Sequence, residues 1–574
     1  MLEQVSFKQP KIKKRNYKRL YKEKTEILIA LQQKAQKQGL GIVVLIEGWD
    51  GSGKGSRISD ILYKLDARIT QVYRSKDESF DEKIKFLEKY PYTENYYPDL
   101  QQYWENLGAQ GTMSVYERAW LNNAAKRLLL AKQLKRRLPS VKLTKQQNPS
   151  LEDLAGQINN FEQQLQKDGY VLAKVFLHIR KKTQKRRLID LASNKETYWR
   201  VTEDEIMQIQ DYKRLYGYYD QLLEKTSSQL RPWNILNGED GRAATLAILD
   251  ILIAQIGNAL GEKENKERMK AEYSKTDNGN FSCAKETCFE ECVNLGWQSK
   301  KDLLLAKDNS QTEIQQGLVP EKSAFKLMKN PPSLYKACHN LTLERSKYKK
   351  ALKKEQKRLF KLELELYRQR RPLILVYEGW DAAGKGGSIK RVAQALDTRA
   401  YSIFTSAAPT AEELAHPYLW RYWTRLPKAG HVGIYDRSWY GRVLVERIEG
   451  FASLKDWTRA YDEINAFEYD LHNWGAIILK FWVHVSREEQ LERFKARMED
   501  PSKAWKITEE DWRNRDKYSQ YFEAVEDMFK LTSTEYAPWI LLEGDDKLYA
   551  RVKALKVINN ALEAELHKSI DFHS

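Results

Sequence analysis

Short apolar runs alternate with stretches of helical periodicity along the second half of the chain. Residues 373–377 form an apolar run of only five residues, three of them β-branched or aromatic, which predicts a buried strand. Similar runs at 431–435, 476–485 and 539–542 predict further strands, each separated from the next by a helical stretch. This alternation predicts a parallel sheet with helices on its faces and ligands at the carboxyl ends of the strands.

Two lysine-rich stretches, residues 11–37 and 343–370, carry apolar residues at helical intervals. Each predicts an amphipathic helix whose charged face is solvated, and each leads into an apolar run. Guidance of a polyanion is the alternative role for these charges.

The chain contains an internal duplication. The segment EGWDGSGKG at 47–55 returns as EGWDAAGKG at 378–386, and later aromatic, glycine and acidic positions match in the same order. We therefore predict a first α/β copy at 1–260, a connector at 261–340 and a second copy at 341–574.

The overall composition narrows the possible partners. The 574-residue chain is too long for one core, and its net charge of +18 indicates a polyanionic partner such as nucleic acid, acidic membrane or a phosphate polymer. No base-reading module is visible, so nucleic acid is not expected. No apolar run of about 18 residues is visible either, so we expect a cytoplasmic protein without a membrane partner.

Four cysteines are too few for a disulfide framework in a chain of this length. Cys283, Cys288 and Cys292 cluster in the connector, but their spacing is not that of a usual zinc knuckle. A shared buried helix face is the preferred interpretation over a metal site.

The turn after the predicted strand 373–377 has the chemistry of a phosphate-binding loop. Gly379, Gly384 and Lys385 have P-loop (Walker A) spacing, in which backbone N–H groups and a helix N-terminus face an anion. Gly386 replaces the usual Ser or Thr ligand of Mg²⁺. Asp381 instead lies inside the loop, where a carboxylate requires a cation between it and the phosphates.

A second carboxylate, Asp436, ends the next predicted strand, the Walker B position from which P-loop enzymes reach Mg²⁺. Arg437 and Arg442 follow on the same loop and, with Lys385, supply the positive charge that phosphoryl transfer needs. The alternatives are a helix N-cap for Asp436 and surface pairing for the two arginines.

The basic stretch 493–512 predicts a lid. Arg493 and Arg497 lie one turn apart, and Lys503 and Lys506 precede Thr508, the predicted N-cap of the next helix. Such a segment can close over charged substrate, although an ordinary exposed loop is the alternative.

The segments EGWDAAGKGGSIKR, HVGIYDRSWYGRVLVER, DPSKAWK and APWILLEGDDK together resemble the polyphosphate kinase 2 family in order and spacing. The tandem arrangement resembles its two-domain class of polyphosphate:AMP phosphotransferases. The resemblance implies a tandem duplication of a P-loop kinase-like three-layer α/β/α domain with a parallel sheet and a helical lid. It also implies Mg²⁺-dependent transfer of the terminal phosphoryl group of inorganic polyphosphate to AMP, giving ADP.

The resemblance implies roles for individual residues. Asp381 and Asp436 would hold metal and orient the acceptor, and Lys385, Arg437 and Arg442 would contact phosphate. The wider phosphate-binding set that we predict is Gly384, Gly386, Gly387, Lys390, Arg391, Arg497, Lys503 and Lys506.

The first copy departs from this pattern. Glu117 replaces Asp436 and Asn123 replaces Arg442, which displaces a metal ligand by about one methylene and removes a positive charge. We expect an inactive first copy, either a packing partner or a platform that holds polyphosphate. The two copies are expected to pack as an internal pseudo-dimer, with a homo-oligomer possible. An ATP-dependent nucleoside monophosphate kinase and a non-catalytic polyphosphate or polyanion binder remain alternative functions for the chain.

Overall fold

Two five-stranded parallel sheets organise the chain, one in each copy of the repeat. The computed structural model describes residues 1–8, 12–75, 79–198, 201–275, 323–500 and 507–567. Lys503, Lys506 and the three connector cysteines lie outside these residues. The strands are β1 Gly41–Gly48, β2 Thr70–Arg74, β3 Met113–Glu117, β4 Tyr170–His178, β5 Trp233–Asn237, β6 Leu373–Gly379, β7 Tyr401–Thr405, β8 Val432–Asp436, β9 Ile477–His484 and β10 Trp539–Glu543.

The strand order is the same in both sheets, β2-β3-β1-β4-β5 and β7-β8-β6-β9-β10. The helices of the first copy are α1 Lys14–Lys37, α2 Lys54–Leu62, α3 Phe80–Lys89, α4 Gln101–Glu105, α5 Trp120–Arg137, α6 Leu151–Lys167, α7 Lys181–Ser193, α8 Glu203–Gln210, α9 Tyr212–Lys225 and α10 Gly241–Lys275. Those of the second copy are α11 Arg345–Gln369, α12 Lys385–Ala393, α13 Ala411–Leu414, α14 Trp420–Trp423, α15 Val445–Ile448, α16 Leu454–Trp474, α17 Arg487–Met498, α18 Glu509–Asp516, α19 Tyr518–Thr532 and α20 Lys547–His567.

Helices cover both faces of the sheet. Alternate side chains of the central strand β1 enter two different cores, Val43 and Leu45 on one face and Ile42, Val44 and Ile46 on the other. All five are buried, as expected for a strand inside a doubly covered parallel sheet. The predicted three-layer α/β/α fold in tandem is therefore confirmed.

The element boundaries differ from the predictions in places. The amphipathic helix predicted at 343–370 is α11, and the one predicted at 11–37 is α1. The edge strands β2 and β7 were not predicted. The last helix of the first copy, α10, continues to Lys275, beyond the predicted end of that copy at 260.

The start of α10, Gly241–Asn265, is long and apolar enough to cross a membrane by length and composition, contrary to the expectation that no such run occurs. Its side chains Leu249, Leu252 and Ile256 are fully buried in the core that contains β1. Core helices pass the same test, so the helix is weak evidence for a membrane location.

The two copies pack against each other through aromatic side chains and backbone hydrogen bonds. The rings of Trp104 and Trp423 stack with centroids 6.1 Å apart, and Trp474 Nε1 donates to the Asn95 carbonyl oxygen at 2.8 Å. Across the same interface, the Tyr469 hydroxyl donates to Asp153 at 2.8 Å.

Candidate active site

The phosphate loop of the second copy follows the central strand β6. Gly379 ends this strand at φ +146°, and a Cβ there would lie 2.3 Å from the Val483 carbonyl oxygen, so the position requires glycine. Gly384, at φ +111°, is the N-cap of α12. Lys385 Nζ folds back over the loop and donates to the carbonyl oxygens of Gly379 at 2.6 Å and Trp380 at 3.2 Å.

The two predicted carboxylates lie at this loop. Asp436 ends β8 and pairs in register with Tyr377 of β6, so its strand ends beside the loop. Asp381 accepts hydrogen bonds from Arg437 at 3.1 Å and Asn514 Nδ2 at 2.9 Å. Burial lowers the pKa of the Lys385 ammonium, while the charges of Asp381 and Asp436 act in the opposite direction.

Arg437 lies between the loop and the cavity beside it. Its backbone adopts φ +60°, and its side chain is 47% exposed while paired with Asp381. A second acid, Glu510, lies 3.8 Å away. Because the Arg437 side chain is half-exposed, water can solvate its guanidinium when it leaves Asp381, so the exchange costs little free energy.

A buried carboxylate, Glu378, joins the P-loop strand to the loop that follows β8. It accepts from both the backbone N–H and the hydroxyl of Ser438, each at 2.8 Å. Burial raises the pKa of Glu378, and these bonds together with Lys385 oppose that rise. Glu378 therefore holds the Asp436–Arg437 segment against the phosphate loop.

A cavity of about 690 Å³ opens next to Asp381. Arg442 lies in its wall, 4.4 Å above the Tyr418 ring and 3.1 Å from Glu446. The wall combines apolar and aromatic side chains with arginines, a lining that suits a ligand with a flat apolar part and an anionic part. The arginines that line it are Arg421, Arg437, Arg442, Arg513 and Arg515.

Three of these arginines, Arg421, Arg513 and Arg515, were not predicted as site residues. Asn514, which binds Asp381, was also missed. Arg513, Asn514 and Arg515 lie on the helix that Thr508 caps, and no motif in the sequence marks them as site residues. The predicted cap is confirmed by its capping box.

The remaining predicted phosphate ligands occupy the N-terminal end of α12 and its surroundings. Gly384, Gly386 and Gly387 form the start of that helix. Lys390 is exposed, Arg391 donates to the Gly387 carbonyl oxygen at 3.3 Å, and Arg497 lies at the end of α17.

An arginine of the last helix, α20, was missed at the same place. Arg551 Nη2 lies 3.0 Å from where a Cβ on Gly387 would sit. Burial lowers the pKa of nearby Lys547, and the charges of Arg493, Arg551 and Arg497 lower it further. The start of α12 thus lies on a second basic face of the site.

Arg493, interpreted from sequence as part of a lid, supports the phosphate loop instead. Its buried guanidinium donates to the carbonyl oxygens of Ala382 at 3.1 Å, Ala383 at 2.8 Å and Gly544 at 2.6 Å. Because it is 5% exposed and bonded on several sides, it is a fixed part of the loop.

In the first copy, buried ion pairs occupy the corresponding loop. Asp50 lies 3.0 Å from Lys54 and 2.8 Å from Arg118, and Arg118 also pairs with Glu205. All four residues are buried. Burial raises the pKa of Asp50, but Lys54 and Arg118 outweigh it and hold the pKa well below its ordinary value.

The first copy also retains a smaller cavity, of about 440 Å³, at the position that corresponds to the large one. Gln102 and Asn123 line it where the second copy has Arg421 and Arg442. This cavity therefore lacks two of the guanidinium groups, suited to binding phosphate, that line the larger one.

The donor set at the second loop fits Mg²⁺ shared with phosphates. Mg²⁺ is commonly bound by one or two carboxylates plus waters and substrate phosphates, which matches Asp381 and Asp436. Within the described parts of the chain, no group of three or more His, Cys, Asp or Glu side chains could hold a metal by itself. Asp381 and Asp436 are therefore suited to a Mg²⁺ ion that takes its remaining ligands from phosphate and water.

Comparisons with known proteins find relatives that match the chain over nearly its whole length. The family model for polyphosphate kinase 2 (PPK2) matches residues 11–264 and 342–569. The chain is 35% identical to the polyphosphate:AMP phosphotransferase of Pseudomonas aeruginosa, covering 97% of this chain and 98% of that protein. It is 31% identical to the enzyme of the same name from Acinetobacter johnsonii, covering 92% of each.

A solved structure shows the same similarity over the whole chain. The crystal structure of a polyphosphate kinase 2 from Pseudomonas aeruginosa superposes with a TM-score of 0.72 at 33% identity. The match covers 99% of this chain and 100% of that one.

Proposed function

The chain belongs to the polyphosphate kinase 2 family, and from this membership we propose that it transfers the terminal phosphoryl group of inorganic polyphosphate to AMP, forming ADP. We assign the chemistry to the second copy. The observation that carries this assignment is the cavity lined by arginines that opens beside Asp381, at the phosphate loop of Lys385.

In the proposed reaction, an oxygen of the AMP phosphate attacks the terminal phosphorus of polyphosphate in line with the bond that breaks. The products are ADP and a polyphosphate one unit shorter. The attacking oxygen is already anionic near neutral pH, so no strong general base is required. The protein therefore acts by positioning the two anions and neutralising their charge.

Each charged group has a place in this scheme. Lys385 and the backbone N–H groups at the start of α12 hold the phosphates of the donor. Arg437 and Arg442 bind phosphate oxygens at the cavity, and Arg437 exchanges its bond to Asp381 for one to substrate. Mg²⁺, when held by Asp381 and Asp436, supplies further charge neutralisation on the phosphate oxygens.

The two anions enter from different sides of the loop in this proposal. AMP occupies the cavity of about 690 Å³, with its base against the aromatic and apolar wall. Polyphosphate lies along the basic face formed by Arg497, Lys547 and Arg551 near the start of α12. We place the protein in the cytoplasm, where both substrates would be available to it.

The test is nucleotide analysis after incubation of AMP, polyphosphate and Mg²⁺ with the protein in the absence of ATP. We expect ADP from the unmodified protein and none from the Lys385→Ala variant. The Glu117→Gln variant, altered at the matching position of the first copy, serves as control and should retain its activity.

Two other results would overturn the proposal. ADP formation that requires ATP as donor would indicate an ordinary nucleoside monophosphate kinase. Salt-dependent binding of polyphosphate without turnover would indicate a binding protein.

A further inference from the structure

The rim of the large cavity is a thin segment between β7 and α14. Its residues Pro409, Leu414 and His416 line the cavity, although Leu414 is 67% exposed. Within its own copy, the segment is held by Glu413, which pairs with Arg425 at 2.9 Å. An exposed segment with few contacts in its own copy needs stabilising contacts from elsewhere to stay in a single conformation.

The first copy supplies support at the rim. The Leu107 carbonyl oxygen lies 3.1 Å from His416 Nε2, and the Gln110 backbone N–H donates to the Ala415 carbonyl oxygen at 2.9 Å. The His416 ring stacks on Trp420 with centroids 4.1 Å apart, and Trp420 Nε1 donates to the first copy at 2.9 Å.

His416 joins the two copies through separate ring nitrogens. Its Nδ1 lies 2.8 Å from the Glu412 carbonyl oxygen of the same copy, whereas Nε2 reaches Leu107 of the other copy. The matching position of the first copy holds Tyr97, which is 43% exposed. At this pair of matching positions, only the second copy has a histidine.

The same region of the first copy also forms an ion pair near Tyr418, a residue of the cavity wall that we call its floor. Asp168 pairs with Arg459, and these side chains are 10% and 12% exposed. Burial raises the pKa of the Tyr418 phenol, the ring over which Arg442 lies. Among the nearby charges, Arg459 lowers this pKa and Asp168 raises it, which places the ion pair close to the ring. Gln110 connects floor and rim, because its side chain donates to the Asp168 carbonyl oxygen at 2.8 Å.

We propose that the first copy is a positioning element for the acceptor cavity of the second copy. It holds the rim through Leu107 and Gln110 and the floor through Asp168, so that AMP meets a preformed wall. This inference rests on the proposed function, since it assigns AMP to the cavity. None of the contacts named above involves the phosphate loop or the basic face of Arg497, Lys547 and Arg551.

A matched pair of substitutions at His416 tests the rim. Both partners of His416 are carbonyl oxygens, and a neutral imidazole donates to only one of them at a time. An asparagine amide takes the place of Nδ1 and can donate to Glu412, whereas a glutamine amide takes the place of Nε2 and can donate to Leu107. Both variants lack the ring that stacks on Trp420. We expect His416→Asn to raise the KM for AMP about fivefold to tenfold, and His416→Gln to restore most of the affinity.

A second variant tests the floor, and a third is the control. Asp168→Asn should raise the KM for AMP with little change in the KM for polyphosphate. Tyr469→Phe removes a hydrogen bond to Asp153 at the same interface, away from the cavity, and should leave both KM values unchanged. Thermal unfolding of each variant reports any loss of folded protein.

The inference is overturned if His416→Asn and His416→Gln raise the KM for AMP equally, or if Tyr469→Phe raises it as much as Asp168→Asn. Calorimetric titration with AMP alone separates this inference from the proposed reaction. Unmodified protein that binds AMP without forming ADP contradicts the reaction, and the variants' AMP affinities still test the positioning. Absence of AMP binding contradicts both.

Discussion

The loop aspartates of the two copies offer a paired test, because the same substitution should remove activity in one copy and stability in the other. Asp381→Asn changes a carboxylate at the wall of an open cavity, whereas Asp50→Asn changes one enclosed among Lys54, Arg118 and Glu205. Both substitutions keep the size of the side chain and remove one negative charge.

The magnitudes follow from burial. The Asp50 side chain is 7% exposed, so the substitution leaves a buried cluster with one uncompensated positive charge. Breaking a buried ion pair in this way costs about 3 kcal/mol or more, which lowers the melting temperature of a domain this size by roughly 6–12 °C. Asp381 pairs with a half-exposed guanidinium, a contact that contributes about 1 kcal/mol or less.

The activities should change in the opposite way. Asp381→Asn removes a charge that faces the reacting phosphates and should lower ADP formation at least about 100-fold. Asp50→Asn should leave the rate per folded molecule within about twofold. The assays are ADP formation at 25 °C and calorimetric unfolding of both variants. Equal losses of activity in the two variants would refute the assignment of chemistry to the second copy.

The pH dependence of unfolding gives an independent check on Asp50. Its pKa is lowered in the folded protein, so its stabilisation is present above the ordinary carboxyl pKa near 4 and is lost as the pH falls below it. The difference in unfolding free energy between unmodified protein and Asp50→Asn should therefore shrink below about pH 4. A constant difference across that range would contradict the buried ion pair.

Three further outcomes are expected. Removal of Mg²⁺ with EDTA should abolish ADP formation without lowering the melting temperature, because the described residues include no group of three or more side chains that could hold a structural metal. A lower melting temperature would indicate a structural metal. Burial lowers the pKa of His178, His472 and His484 to about 4. The unfolding free energy should therefore fall as the pH drops from about 6.5 to about 4, by roughly 3 kcal/mol per histidine at most. Melting temperatures that stay constant over this range would contradict the burial of these histidines. Lys480→Met should lower the free energy of unfolding, measured in urea, by roughly 3–5 kcal/mol, because it leaves Glu468 buried without its partner at 2.7 Å. Adding Glu468→Gln should recover part of this loss, since both charges of the pair are then removed. Equal instability of the single and double variants would contradict the pair.

The sequence predicted those parts of the fold whose signals are local. Strands β6 and β9 are buried along their whole length apart from Gly379, so their apolar runs stand out. The edge strand β7 has exposed or half-exposed residues throughout, and its pattern therefore lacks the apolar run that marks a central strand. The duplication was visible because the loop residues and many aromatic positions recur in order.

Residues that reach the site from distant parts of the chain were harder to predict. Arg551 comes to Gly387 from α20, and Asn514 comes to Asp381 from α18. Neither carries a motif, and only the packing of their helices brings them to the loop. The role of Arg493 was likewise hidden, because a lid arginine and an arginine that holds loop carbonyls have the same sequence pattern.

The two loops show that fold and loop geometry alone do not make this site. The bond from Trp380 to His484 and its counterpart from Trp49 to His178 are both 2.9 Å long. The lysine of each loop also reaches the same two loop carbonyls.

The two copies differ in the ion-pair partners of the loop aspartate and in how deeply these partners are buried. A phosphate arriving at the first copy would have to separate Asp50 from Lys54 and Arg118, and Arg118 from Glu205, all of them buried. A phosphate arriving at the second copy meets a half-exposed arginine, Arg437, which is paired with Asp381 and Glu510. A few interacting charges therefore account for the expected loss of chemistry in the first copy, while its unchanged scaffold stays available to support the cavity of the second.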